Sequence, residues 1–432
     1  MIEIIDKKER LQAFVSQVRG RSVGLDAELL NRVSEIIRDV RQRGDAALIE
    51  YGRIFDEVEL KPSELRFGAS DLERCARKAD QPVLEAIRKA ISNVRAFHSR
   101  QFEKSWEIQP DAGIRLGQRI TPIDIVGLYV PGGTAAYPSS VIMNVVPAQV
   151  AGVKRIVVTT PPRALQENPA VAATLVELNV REVYSVGGAQ AIAALAFGTE
   201  TIPGVDKVTG PGNKYVAAAK KLVFGFVGID SIAGPSEVVI VADETATPTY
   251  LAADLLAQAE HGEDASAILI TTSQKIAESV RLELERFLRN LPRSSIAKKS
   301  LAQFGAIVVV STVNDACELV NEWAPEHVEV ITADDESVSQ KIRHAGAIFL
   351  GPFTPEAVGD YFAGPNHILP TQRNARFASA LGVYDFVKRT SILSYSRAAL
   401  ASATNSIGLL ADTEGLNAHA LSVRIRTGEN DQ

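Results

Sequence analysis

Six histidines occur in the 432-residue chain. Four of them stand beside other metal-capable or proton-transferring residues: His261 in AQAEHGED, His327 in APEHVEV, His367 in GDYFAGPNH and His419 in GLNAHAL. That company points to metal and proton chemistry. In DLLAQAEHG, Gln258 and His261 are one helical turn apart, so both project from one face and could grip a single ion. Asp360 and His419 would add an oxygen and a nitrogen to a donor set that zinc accepts, although spacing alone does not bring such distant segments together. Taken one at a time, these residues also read as a helix-surface Gln or His, or a capping Asp. His98 and His344 stay with that plain reading.

The pair Glu326-His327 follows Pro325 where an apolar strand is expected to start, which puts both side chains at a strand end, where active sites gather. A neighbouring carboxylate and imidazole suit two proton transfers at different steps, the ring titrating near neutrality and the carboxylate activating water. A surface pair at a strand start would look the same. Glycine marks three more places where strands are expected to end: Tyr129-Val-Pro-Gly-Gly133, Val186-Gly-Gly-Ala-Gln190 and Gly210-Pro-Gly-Asn213. Such loops let backbone N–H groups approach phosphate oxygens at the carboxyl ends of parallel strands. Each alone is equally a tight strand-to-helix turn, and three together give the reading its weight. No GxGxxG fingerprint occurs, so a dinucleotide would have to bind in an unorthodox way.

The elements that must position these groups follow from pattern. Up to about Trp106 the chain reads as amphipathic helices, as in LNRVSEIIRDVRQRGDAALIEYG and VLEAIRKAISNVRAFHSRQF. From Ile114 onward, short β-branched runs alternate with helical segments: IDIVGLYV, KRIVVTT, EVYSVGG, SEVVIVAD, SAILITT, GAIVVV, HVEVIT and GAIFLG. Alternation of this kind implies an α/β protein with two doubly wound, incomplete Rossmann-like domains built on parallel sheets, flanked by small helical segments at each end. The expected division is 1–25 as an N-terminal helical segment, 26–128 with 237–381 as the first α/β domain carrying the zinc and catalytic residues, 129–236 as the NAD-binding domain, and 382–432 as a helical arm suited to a dimer contact.

Composition narrows the function classes. Hydrophobic residues make up 46% and charged residues 23%, which leaves no room for extensive disorder. A net charge of −6, with no basic stripe interleaved with aromatics, argues against nucleic acid as a partner. Two cysteines, Cys75 and Cys317, are too few for a disulfide framework or a thiolate zinc site and fit a reducing cytoplasm. The opening MIEIIDKKERLQ lacks the apolar core of an export signal. The long uncharged stretch 125–153 holds Pro131, Pro138, Pro147 and a glycine pair, which fits buried loop and helix and not a membrane span.

Taken together, the segments GLYVPGGTAAYPSSVIMNVVPAQVAGV, VGGAQAIAALAFGTE, GPGNKYV, AGPSEVVIVAD, DLLAQAEH, APEHVE, GDYFAGPNHILPT and EGLNAHA closely resemble histidinol dehydrogenases, in that family's order, from about Tyr129 to His419. The resemblance implies a two-step, four-electron oxidation of L-histidinol through L-histidinaldehyde to L-histidine at the end of histidine biosynthesis, consuming two NAD+. It implies one Zn2+ per subunit held by Gln258, His261, Asp360 and His419. The substrate pocket would add Ser236, His327, His367 and Glu414 to those ligands, and Tyr129, Gln190 and Asn213 would contact NAD. It further implies a homodimer with shared active sites, in which Glu414 and His419 could serve the partner's site.

On that reading His327 takes the alcohol proton while hydride leaves for NAD+, and Glu326 activates water to hydrate the aldehyde. Neither cysteine lies in a motif, so the water route is preferred to a thiolate. Two departures stand out. The family often has an acidic residue where this chain has Gly262, and a glycine pair where it has Gln372-Arg373. The rival readings are a paralogue that oxidises another small alcohol, a zinc hydrolase, which would not need the glycine loops, and a binding or scaffold protein, which would show no turnover.

Overall fold

The β-branched runs form strands, and the order in which those strands pair explains how the glycine loops and the histidines come together. The computed structural model describes residues 2–20, 25–132, 137–232 and 234–428. Its strands, in chain order, are β1 (Glu3–Ile5), β2 (Arg66–Phe67), β3 (Trp106–Ile108), β4 (Ile114–Pro122) and β5 (Ile125–Tyr129). Then come β6 (Arg155–Thr160), β7 (Glu182–Ser185), β8 (Lys207–Thr209), β9 (Gly228–Ile229) and β10 (Glu237–Ala242). The last are β11 (Ser266–Thr271), β12 (Gly305–Val309), β13 (His327–Ile331), β14 (Ala347–Leu350) and β15 (Val387–Tyr395). By contact density the chain divides into two units, Met1–Gln101 with Asp124–Asp385, and Phe102–Ile123 with Phe386–Gln432.

The larger unit contains two six-stranded sheets, ordered β2-β7-β6-β5-β8-β9 and β1-β12-β11-β10-β13-β14. Within each, five parallel strands follow one plan: the first strand in sequence lies centrally, the second and third stack to one side, and the fourth and fifth to the other. That is the doubly wound order, and the gap between first and fourth strands is where the crossovers diverge. The two sheets therefore repeat one architecture, as the paired sets of runs imply. Strands buried on both faces explain why β10 and β11 read as continuous apolar segments, every residue of each being buried.

Three expectations are corrected. Residues 1–25 read as helix, yet Glu3–Ile5 forms a parallel strand on β12, ahead of the helix Lys8–Arg19. Three residues are too few to show a period, so the strand leaves no trace in the pattern. Residues 26–128 were expected to join 237–381. Instead, the stripe Leu29, Val33, Ile36, Ile37 and Val40 packs with Ile192 and Leu195 of the alanine-rich helix Gly188–Phe197, on the sheet containing β5 to β9. Ile87, Ala90 and Val94 pack with Val141, Val145 and Val158, again with that sheet. Each such side chain contributes about 1.5–3 kcal/mol on burial, but an amphipathic stripe does not name its partner.

The third correction concerns residues 382–432, expected to be a helical arm. The smaller unit pairs β15 antiparallel with β4 from Val387↔Pro122 to Tyr395↔Ile114, and β3 with the other edge of β4. Most of β15 is exposed, so VKRTSILSY carries no clean alternation to announce it. Helices Arg397–Thr413 and Asn417–Thr427 follow, the first capped by Ser396, whose side chain accepts from the Ala399 N–H at 3.2 Å. Among the described residues no helix is long and apolar enough to cross a membrane.

Candidate functional site

The site is built from the amino ends of one sheet and the carboxyl ends of the other. Ser236 immediately precedes β10, and Glu326 precedes β13, whose first residue is His327. Helix Pro248–Ala259 runs antiparallel to these strands and delivers Gln258 in its last turn. His261 lies just past the helix end, its N–H donating to Gln258 O at 3.2 Å, so the one-turn spacing survives although the helix has stopped. The expectation that Glu326 and His327 occupy a strand end holds, but it is the amino end, opposite to the usual ligand edge of a parallel sheet. The other sheet obeys the usual rule: Tyr129 ends β5, and Gly188 and Asn213 open the helices after β7 and β8.

A cavity of about 460 Å³ is lined by Ser236, His261, Glu326, His327, Asp360 and His367, among others. His261, Glu356 and Asp360 each offer a ligand atom within 4.8 Å of the others. His327 Nε2 and His367 Nδ1 each lie 3.9 Å from Asp360 Oδ1. Gln258 is fully buried, and its amide finds partners when its nitrogen faces Glu356, donating to both carboxylate oxygens at 2.9 Å. That orientation leaves Oε1 as the atom available to a cation.

The three imidazoles share one tautomer. Nδ1 of His261 donates to Ala257 O at 3.0 Å, Nδ1 of His327 to Glu237 O at 3.1 Å, and Nδ1 of His367 to Asp360 O at 3.1 Å. Because a carbonyl can only accept, each Nδ1 carries a proton, and in a neutral ring the lone pair is then on Nε2. His327 Nε2 is buried with no hydrogen-bond partner among the described residues. Burial pushes the His327 imidazole down to about 4 and also lowers His367, so both rings are neutral at neutral pH. A single residue clamps the catalytic candidates, since the Glu237 N–H donates to Glu326 Oε2 at 3.0 Å while its carbonyl holds His327.

Beneath this lies a group of acids that the sequence reading overlooked. Glu356 is buried, and desolvation, followed by the neighbouring Asp360, Glu326, Glu329 and Asp254, drives its carboxyl well above the ordinary range. Glu329 accepts from the Glu356 N–H at 2.9 Å. The signals were present: Glu356 stands four residues before Asp360 on one helix, and Glu329 interrupts an apolar strand. His261 with the carboxylates of Glu356 and Asp360, each offering an atom within 4.8 Å of the others, makes an N/O donor set of the type zinc accepts, and Gln258 stands beside it on Glu356.

A second cavity, about 450 Å³, is lined by Tyr129, Gln190 and Asn213, and it shares Gly132 and Asn213 with the first. Tyr129 is buried, its hydroxyl accepting from the Gly188 N–H at 3.2 Å. Asn213 caps the helix Lys214–Val223, accepting from Tyr215 N and Val216 N at 3.0 and 3.2 Å. Gly210 has φ +113°, and a Cβ there would collide with the Tyr129 carbonyl, so the third loop needs its glycine. Gly133 of the first loop lies outside the described residues.

The family model for histidinol dehydrogenase matches residues 20–427. This chain belongs to the histidinol dehydrogenase family. The histidinol dehydrogenase of Halalkalibacterium halodurans is 54% identical over 413 residues, covering 95% of this chain and 97% of that protein. The one from Bacillus subtilis is 50% identical, covering 98% of each. The crystal structure of histidinol dehydrogenase from Elizabethkingia anophelis superposes with a TM-score of 0.92 at 36% identity, covering 98% of each chain. The fold is thus that of a histidinol dehydrogenase, an NAD-dependent oxidoreductase family. Of the residues the resemblance implies, Ser236, Gln258, His261, Glu326, His327, Asp360 and His367 gather around the first cavity, and Tyr129, Gln190 and Asn213 around the second. Glu414 and His419 belong to the smaller unit, where both are exposed. His98, read as a helix-surface residue, is instead fully buried, its Nδ1 2.8 Å from Gln101 Oε1.

Where histidinol dehydrogenases often carry a glycine pair, Gln372 and Arg373 have φ of +52° and +66°. Both residues hold a left-handed backbone that glycine adopts more easily, so the departure carries a local strain.

Proposed function

We propose that this chain oxidises L-histidinol through L-histidinaldehyde to L-histidine, with two NAD+ consumed. The observation that carries the reading is that His261, His327 and His367, each with Nδ1 held on a backbone carbonyl, line one cavity with Asp360 and Glu326, and that this cavity shares Gly132 and Asn213 with the glycine-loop cavity. Gln258, His261 and Asp360, together with His419, would hold one Zn2+ per subunit. Bound there, zinc would anchor the imidazole and amine nitrogens of histidinol and so orient the carbinol. Ser236, His367 and Glu414 complete the proposed substrate pocket, and Tyr129, Gln190 and Asn213 the NAD site.

His327 Nε2 accepts the hydroxyl proton as hydride passes to NAD+, its Nδ1–H fixed on Glu237 O so that the lone pair faces the substrate. Glu326, held by the Glu237 N–H, then takes a proton from the water that adds to the aldehyde, and the hydrate delivers the second hydride. A homodimer in which the exposed Glu414 and His419 serve the partner's site is part of the same proposal. A cytoplasmic setting is supported by the two free thiols, both buried.

The test is an NADH assay on the purified protein with L-histidinol, with and without a chelator. Two NADH per histidinol, lost on chelation and restored by zinc, is the expected result. One NADH per substrate, or turnover indifferent to chelation, would overturn the assignment.

A further inference from the structure

The glycine-loop cavity has two charged side chains among its lining residues, Arg32 and Asp56. Arg32 lies over the Tyr215 ring, 5.9 Å from its centroid. Asp56 is placed against ordinary preference in three ways. It is the C-cap of the helix Asp45–Phe55, where the helix dipole disfavours an anion. Its carboxyl is desolvated, which pushes its pKa up. Oδ2 is buried without a hydrogen-bond partner, and no ion pair neutralises the group among the described residues. Buried carboxylate oxygens normally find donors, so an Oδ2 that finds none among the described residues is suited to a donor brought by a ligand. Glycine keeps the space beside the carboxylate clear: a Cβ on Gly187 would stand 3.4 Å from Asp56 Oδ1 and 2.9 Å from the Pro161 ring.

What such a carboxylate accepts is set by its chemistry. It has lone pairs and no proton, so it takes hydrogen bonds from a vicinal diol and rejects a phosphate, which carries like charge and brings no donor. We propose that Asp56 reads the free 2′- and 3′-hydroxyls of the adenosine ribose and excludes a 2′-phosphate, making it the residue that sets preference for NAD+ over NADP+. This rests on the reading of the cavity as the site of the coenzyme's adenosine half. Arg32, which lines the same cavity, is the cation that would otherwise welcome a 2′-phosphate, and the charge of Asp56 opposes it.

The test compares full-length wild type with Asp56→Asn, measuring NADH and NADPH binding by fluorescence and kcat/KM for NAD+ and NADP+. The substitution should shrink the NAD+/NADP+ preference at least about tenfold, through KM for NADP+ with kcat little changed. Asp56→Ser provides the same readout should the amide disturb folding. Gln190→Ala is the companion variant, expected to weaken both coenzymes alike. A preference that stays within about twofold of wild type in the Asp56 variants, while Gln190→Ala weakens both coenzymes, overturns the role of Asp56 alone. Should Gln190→Ala leave both coenzymes bound as tightly as before, the coenzyme reading of the cavity fails as well.

Discussion

His327 offers two nitrogens with different duties, and two substitutions separate them. Asn places its amide nitrogen near where Nδ1 stands, so His327→Asn retains a donor for Glu237 O and removes the Nε2 base. Gln reaches toward the Nε2 position, so His327→Gln gives up the side-chain hydrogen bond to Glu237 O and still supplies no base. A positioned general base contributes roughly 10²–10⁴ in rate, or about 3–5 kcal/mol of barrier, so both variants should lose kcat for alcohol oxidation by that factor. Their stabilities should differ. Each loses the ring's packing against Phe349, whose centroid is 5.8 Å away, but only Gln also loses the side-chain hydrogen bond to Glu237 O, worth roughly 0.5–1.5 kcal/mol. Single-turnover NADH formation from L-histidinol gives the first quantity and urea unfolding the second. Because burial holds the ring down to about 4, its neutral form is present above that pH and lost below it, so the wild-type ring does not limit activity near neutrality. If His327→Asn retained more than about a tenth of wild-type kcat, Nε2 would not be the base.

Three further outcomes are expected. Glu326→Gln should slow oxidation of supplied L-histidinaldehyde far more than the first NADH from L-histidinol, measured in separate half-reactions; equal loss in both would refute the division of labour. The double variant Cys75→Ala/Cys317→Ala should remain active, since both thiols are buried and burial pushes that of Cys317 up; a folded but inactive protein would revive a thiolate route. Arg373→Gly should raise stability by about 1 kcal/mol in urea unfolding, relieving a left-handed backbone at φ +66° and a buried Nε that finds no partner among the described residues, against glycine's greater freedom in the unfolded chain. A loss of stability would show that the arginine side chain matters more than its backbone.

Much of this was legible because the chemistry sits on strong local patterns. Gln258 and His261 follow from helical spacing, Glu326-His327 from its place at a strand start, and the glycine loops from strands ending in turns. Asp360 and His419 joined the metal set through resemblance alone, because sequence distance hides convergence. The buried acids were missed for a different reason: a carboxylate inside an apolar strand, such as Glu329, reads as a lapse in pattern until the neighbouring Glu356 and Asp254 are seen. The allegiance of the helices in 27–99 was illegible because an apolar stripe specifies burial and not the surface that provides it. Weakly patterned strands such as β15 were lost to their own exposure.

The edge strand β1 has a consequence for how the chain reaches this state. Its register partner to Glu3 is Ala306, about three hundred residues later, whereas every strand of the sheet holding the glycine loops lies between Arg66 and Ile229. At about 5–20 residues per second, β1 waits roughly 15–60 s for β12 to be made. The sheet holding the glycine loops can be complete in that interval. Nascent chains arrested near residue 235 should therefore already protect residues 66–229 from proteolysis while the segment around residues 3–5 remains open to it.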